Sequence, residues 1–282
     1  MRTVPAPAHS IGPSAIPSGS DVVRLVRASL DSMSADLPIC PTTAIKLLQL
    51  TRNPDVEFRD VVALMNEDPV VAARVLSTAQ SAFHSRGASI VSLRDAAVRL
   101  GLRELAHIFL EITASVRIFR AKGFEGAMNG LKRHSSATAQ ISRVICHHTG
   151  VDESMIFISA LLHDVGVAFA AAAVGTLKNA QTAWPGIMAA HAEVGRLVCE
   201  AWKLPAEVAP QLGAHHEPFV EGDPPSKTVI VVADWMAARV GIPSPNEPLT
   251  SPPIQELRSL GIAEPTFDRI CMAAEEIAKH VR

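Results

Sequence analysis

Histidine and aspartate carry whatever chemistry this chain performs. Eleven histidines occur in 282 residues, and seven of them fall between positions 134 and 216. His163 and Asp164 are adjacent, at the end of the apolar run Ile156 to Leu162. Neutral imidazole and carboxylate are ligands for divalent transition metals. Neighbouring helical residues point about 100° apart, yet at a helix end both can serve one site, with the carboxylate bridging two ions. Five further residues extend the pair. His134 lies one helix earlier, and His191 opens a helix 27 residues after Asp164. His215 and His216 follow at an expected helix end, and Asp234 sits in the apolar string Val231-Val232-Ala233-Asp234-Trp235. A buried carboxylate there needs a metal, an arginine or several hydrogen bonds.

Other residues invite plainer readings. A lone His-Asp pair is usually a helix-terminal imidazole bonded to a neighbour. The set of seven can be a structural metal site or hydrogen-bonded polar cluster, a ligand pocket for a nucleotide, or a catalytic metal site. His147 and His148 read as a solvated pair at a helix C-terminus, and His84 and His107 as isolated structural histidines. Trp184, Trp202 and Trp235 read as core anchors rather than base-stacking platforms. Leu93 to Leu110, with Arg94, Arg99 and Arg103, has the outline of a helix-turn-helix. Its second helix reads Leu105-Ala106-His107-Ile108-Phe109-Leu110 and offers core rather than a base-reading face.

The positioning elements are helices. Apolar residues make up 48% and charged residues 19%, a globular composition with room for a large core. Tyrosine is absent and no useful alternating pattern occurs, so the fold class is all-α. A first helix is expected near Asp21, and later ones at Thr42 or Thr43, over a short stretch holding Phe58, Val61, Val62 and Leu64, from Pro69 behind an Asp68 cap, after Ser92 and after Gly101. Second-half helices are expected at about 129–149, 152–164, 187–202, 205–215, 226–240 and 264–281, with proline-rich loops at 218–225 and 241–253. Residues 1–20 read as a disordered tail. The longest uncharged apolar run, Val165 to Gly175, is short of the ~20 residues of a membrane span. No charged-then-apolar leader opens the chain. Net charge is −2, against a strongly basic nucleic-acid binder. The four widely spaced cysteines read as reduced core thiols in a cytoplasmic protein.

The order His134, His163-Asp164, Asp234 resembles the HD superfamily of metal-dependent phosphohydrolases. More closely, the chain resembles an HDOD domain, a signalling output domain of bacteria. The matching pieces include Leu37-Pro38-Ile39-Cys40-Pro41, Asp68-Pro69-Val70-Val71-Ala72-Ala73-Arg74-Val75-Leu76 and Ser92 to Gly101. In the second half they include Leu161-Leu162-His163-Asp164-Val165-Gly166, His191-Ala192-Glu193-Val194-Gly195, Trp202-Lys203-Leu204-Pro205, His215-His216-Glu217-Pro218 and Ala233-Asp234. The resemblance implies a two-lobed helical bundle over 21–240, with an N-terminal lobe at 21–122 and an HD-like lobe at 123–240. Residues 241–282 add a proline-rich loop and a helix packing on the HD-like lobe.

The departures from active relatives bear on function. HD-GYP phosphodiesterases, which share the ligand order, place Gly and Lys after the His-Asp pair; here the Lys position is Val167. They also carry a Gly-Tyr-Pro segment, and Gly130 stands where some bimetal sites have Glu. The expected protein is therefore a bacterial regulatory domain without phosphodiesterase activity, acting through signalling-protein partners or a bound nucleotide. His134, His163, Asp164, His191, His215, His216 and Asp234 would hold one or two divalent ions of iron, manganese, zinc or nickel, or form a metal-free cluster. The alternatives are a metal-dependent phosphohydrolase acting on a cyclic or other nucleotide, and a DNA-binding regulator using residues 93–110.

Overall fold

The computed structural model describes residues 16–32, 37–53, 55–80, 90, 92–153, 155–175, 177–205, 208–245 and 250–281. Residues 1–15 of the expected tail, and His84, lie outside these. No strand occurs among the described residues, and the fold is all-α as expected.

The first lobe is built on one central helix. Helices α2 (Thr42–Leu50), α3 (Phe58–Met65), α4 (Pro69–Ala79) and α5 (Leu93–Leu100) gather around α6 (Leu102–Arg117). The Asp68 side chain accepts from the Val71 amide at 3.3 Å, capping α4, and also pairs with Arg117, which ties the start of α4 to the end of α6. Ser92 caps α5 in the same way, accepting from the Asp95 amide at 3.0 Å. Gly101 joins α5 to α6 at φ +83°, a conformation that favours glycine. Residues 105–110 of α6 are all buried. The second helix of the helix-turn-helix outline therefore lies in the core, and Arg103 pairs with Glu153 rather than standing free.

The second lobe surrounds α7 (Glu125–Thr149). Against it pack α8 (Ile156–Leu162), α11 (Pro225–Arg239) and α13 (Glu264–His280), while α9 (Val165–Val174) packs on α10 (Trp184–Trp202). One apolar core runs through both lobes.

Several boundaries differ from expectation. Helix α1 (Gly19–Asp31) starts two residues early, because Ser18 and Asp21 form a reciprocal cap. It was grouped with the first lobe but packs on α10 and α9, burying Val22 and Val26. The helix expected at 205–215 is reduced to a 3-10 turn at Ala209–Leu212, in a stretch broken by Pro205, Pro210 and Gly213. Two helices were not foreseen: α9, directly after Asp164, and α12 (Ile254–Ser259). With α9 in place, Ile156–Val174 forms a 19-residue stretch apolar enough to cross a membrane, with mean hydropathy 1.9. In the structure 94% of it is buried inside the protein, so protein rather than lipid covers it.

Three glycines, Gly166, Gly186 and Gly195, let backbones touch. A Cβ on Gly166 of α9 would lie 2.0 Å from the His191 carbonyl oxygen, and one on Gly195 of α10 would lie 2.4 Å from that of Leu212. Both contacts are with backbone, so neither can be relieved by a rotamer change. Gly195→Ala is expected to destabilise the protein by about 1–3 kcal/mol through overpacking. Gly126→Ala, at an exposed helical position with nothing within 4 Å, is expected to stabilise it by up to about 1 kcal/mol. Urea unfolding of both variants checks the pair.

Candidate metal centre

All seven residues expected to bind metal converge. His134 comes from the middle of α7 and is fully buried. His163 and Asp164 occupy the break between α8 and α9, where the chain leaves one helix before entering the next, so adjacent side chains reach one centre. The close approach at Gly166 sets His191 of α10 beside them. His215 and His216 lie in the turn after the 3-10 segment, not at a helix end. Asp234 comes from α11.

Asp164 stands between two groups. His134, His163 and Asp234 form one, and Asp164, His191, His215 and His216 the other; within each, ligand atoms lie within 4.8 Å of one another. The Asp164 Oδ2 oxygen lies 3.5 Å from His163 Nε2 and 3.9 Å from His134 Nε2. Its Oδ1 oxygen lies 3.2 Å from His215 Nε2 and 3.7 Å from His191 Nε2. One carboxylate thus presents one oxygen to each group, the disposition a bridging ligand requires.

The imidazoles are oriented by the backbone. Nδ1–H of His134 donates to the Ile242 carbonyl at 2.8 Å, that of His163 to Ala160 at 2.7 Å, and that of His191 to Met188 at 2.5 Å. This fixes the tautomer and turns each Nε2 inward. His134 Nε2 then lies 3.2 Å from His163 Nε2, and His191 Nε2 lies 2.9 Å from His216 Nε2. Lone pairs facing at such distances need a proton or a cation between them. The donor set and its orientation therefore fit a divalent metal.

Burial and the two carboxylates set the protonation balance. Burial acts most strongly on His134 and opposes its charging, but the hydrogen bond and charge of Asp234, 3.0 Å away, and the charge of Asp164 raise its pKa to about 9. For His163, burial together with the charges of His215 and His134 lowers the pKa to about 4. His216 is lowered to about 4 by burial and by His215 and His191. Asp164 would be raised by burial, but His163, His215 and His191 hold its carboxyl well below the usual range.

Two contributors escaped sequence reasoning. The Ser244 hydroxyl donates to Asp164 Oδ2 at 2.7 Å, and the Ile242 carbonyl orients His134. Both belong to the loop after α11, where Ser244 is flanked by prolines and nothing in its spacing marks it. The same loop explains Gly130: a Cβ there would already touch Pro245 Cγ at 3.4 Å, so the loop fills the place of a longer side chain. Val167 is fully buried. His147 and His148 are exposed and lie outside the centre.

The HDOD domain profile matches residues 37–218, well over half the chain. The chain belongs to the HDOD family. The matched span takes in six of the seven ligand candidates and stops before Asp234 and Ser244. An HDOD domain protein of unknown function from Geobacter sulfurreducens has a similar fold, with a TM-score of 0.71, 23% identity, and coverage of 93% of this chain and 97% of that one. A protein from Shewanella amazonensis, provisionally called a metal-dependent phosphohydrolase, superposes with a TM-score of 0.61 at 17% identity, covering 92% and 99%. One from Marinobacter aquaeolei, provisionally called a signal transduction protein, gives 0.64 at 15% identity, covering 94% and 64%. An uncharacterized protein of Treponema pallidum is 25% identical over 205 residues, 67% of this chain; the aligned region spans 39% of that protein.

Without metal, the histidines give stability a defined pH profile. His134 is raised, so its contribution is complete below its unfolded value of ~6.5 and is lost as pH climbs through about 9. His163 and His216 are lowered, so their contribution is present above ~6.5 and is lost as pH falls toward about 4. Chelator-treated protein is expected to be most stable near pH 6.5. His134→Gln is expected to flatten the alkaline decline, which is on the order of 3 kcal/mol. Thermal melts across pH 4–10 in chelator check this.

Proposed function

We propose that this chain is a regulatory HDOD domain whose HD-like lobe holds one or two divalent metal ions as part of its architecture, and that it acts in bacterial signalling through protein partners rather than by turnover. The observation that carries this reading is the closure of the centre. His163 and Asp164 are each 1% exposed and His134 is fully buried. Ser244 occupies an Asp164 oxygen, and Pro245 covers Gly130. Only His216 and the partly exposed Asp234 reach the surface. A phosphate ester needs an open face beside the ions and a group to hold its charge, and the buried Val167 offers none. The provisional signalling role of the Marinobacter neighbour agrees with this reading, and a cytoplasmic location follows from it.

His134, His163, Asp234 and Asp164 would hold one ion; Asp164, His191, His215 and His216 would hold the other. Imidazole with carboxylate suits iron, manganese, zinc or nickel. Bound ions would neutralise the carboxylates and fasten α7, α9, α10 and α11 together. The chain's own residues do the positioning: three backbone carbonyls aim imidazoles, and Ser244 steadies the bridging carboxylate.

One observation favours a second reading. A carboxylate shared between two ligand groups is the layout that phosphohydrolysis uses, where paired ions supply Lewis-acid activation of water. The provisional activity of the Shewanella neighbour agrees with that alternative.

Elemental analysis of protein purified without chelator or metal-affinity tag is expected to find one or two equivalents of a transition metal, lost in His163→Ala. The loaded protein is expected to release no phosphate from a panel of linear and cyclic nucleotides. Turnover that disappears in Asp164→Asn would establish the hydrolase reading instead. A folded, metal-free protein that takes up no added ion would overturn the metal assignment.

A further inference from the structure

A large cavity lies away from the metal centre. It opens between the lobes, walled by α4 and α6 on one side and by α7, α8 and α13 on the other, with a volume of about 1150 Å³. That exceeds the roughly 300–1,000 Å³ of ordinary small-molecule sites, leaving room for a ligand and some water.

Its wall contains a buried polar group with nothing to bind. His107 of α6 lines the cavity and is 2% exposed, and neither ring nitrogen has a hydrogen-bond partner. Buried polar atoms in native proteins are nearly always satisfied, so two on one ring require an account. Burial, followed by the charges of Arg143 and Arg103, lowers the His107 pKa to about 3. The ring is therefore neutral, with one N–H to give and one lone pair to receive. It stacks on Phe157 at 4.2 Å and 22°, and the Arg143 guanidinium lies 6.0 Å from the Phe157 ring centre. The two rings cover each other within the wall.

Four basic side chains, Arg74, Lys132, Arg133 and Arg143, and four acidic ones, Glu104, Glu111, Glu153 and Glu276, line the cavity, and the Lys132 charge favours the Glu111 carboxylate. Arg143 is held by Glu104 at 2.6 Å, and Glu276 by Lys279 at 2.7 Å. Arg74 and Lys132 also line the cavity, but make no ion pair among the described residues. Glu111 is turned to Ser136 and Gln140.

We infer that the interlobe cavity is a second ligand site, which takes a small molecule with a flat nitrogen heterocycle and an anionic group. The heterocycle's edge meets the His107 nitrogens, and the anion meets Lys132 and Arg74. A ligand there touches both lobes and favours whichever relative placement suits it. The site is independent of the metal assignment.

The test titrates the chain as purified with three probes: adenosine monophosphate, adenosine and inorganic phosphate. Calorimetry is expected to show binding of the monophosphate, at least tenfold weaker binding of adenosine, and none of phosphate alone. His107→Phe keeps the ring and its stacking but removes both nitrogens. It is expected to weaken monophosphate binding at least tenfold while raising Tm. Lys132→Gln is expected to weaken the monophosphate but not adenosine. Adding chelator is expected to leave binding unchanged. Should His107→Phe fold poorly, the His107 imidazole signals of the wild-type protein are expected to shift on titration. No monophosphate binding up to 1 mM, unmoved His107 signals, or binding lost in chelator but kept in His107→Phe would each overturn the proposal, the last by placing the ligand in the metal centre.

Discussion

A carboxylate inside an apolar lobe is the constraint on which the rest of this structure depends. Asp164 is 1% exposed and follows directly on an apolar helix. An isolated charge there would be strongly destabilising, and only surrounding donors or cations make it tolerable. Four imidazoles and one hydroxyl do so here. They come from α7, the α8–α9 break, α10, the turn after it and the loop after α11. Each of these elements must stop at the right height to deliver its group, so the packing of the lobe is in large part the solution to one electrostatic problem.

The backbone supplies much of that solution. Three histidines are aimed by carbonyl oxygens, two of them within the histidine's own helical turn and one, at Ile242, from a loop 108 residues away. The contact between α9 and α10 works because Gly166 has no side chain; any Cβ would strike the His191 carbonyl. This gives a physical reason for glycine two residues after the Asp: it sets the distance between the bridging carboxylate and the first histidine of the second ligand group.

The ligand set was legible in the sequence because residue types unsuited to an apolar core announce themselves there. Asp234 between Ala233 and Trp235, and the His163-Asp164 pair after Leu162, are such cases. The helices of the first lobe were legible through their caps, Asp68 with Pro69 and Ser92 before Leu93. What escaped depends on tertiary placement. Helix α9 has no cap and no polar face, since all ten of its residues are buried, so periodicity has nothing to report. Ser244 looks like any serine in a proline-rich loop until the chain returns it to Asp164. His107 reads as an isolated core histidine, and only the assembled lobes show that its nitrogens border a cavity. The 205–215 segment has helical spacing, but two prolines and a glycine prevailed, and His215 and His216 lie in a turn, with His215 Nε2 3.2 Å from Asp164.

The same interdependence limits what the ligand set says about chemistry. Removing one partner from a buried charged cluster leaves an uncompensated charge, a loss of about 3–5 kcal/mol and a large part of the stability of a small domain. These seven residues are thus held in place by folding alone, whether or not a substrate ever reaches them. Their convergence marks a candidate metal centre within a helical bundle, but does not separate a hydrolase from a regulator. Access does. At this centre the loop through Ile242, Ser244 and Pro245 lies over the residues that face inward, while the open volume lies elsewhere, at the seam where α6 meets α7 and α8. A lobe fastened at its core beside a cavity shared with its neighbour is suited to registering a ligand as a change in how the two lobes meet.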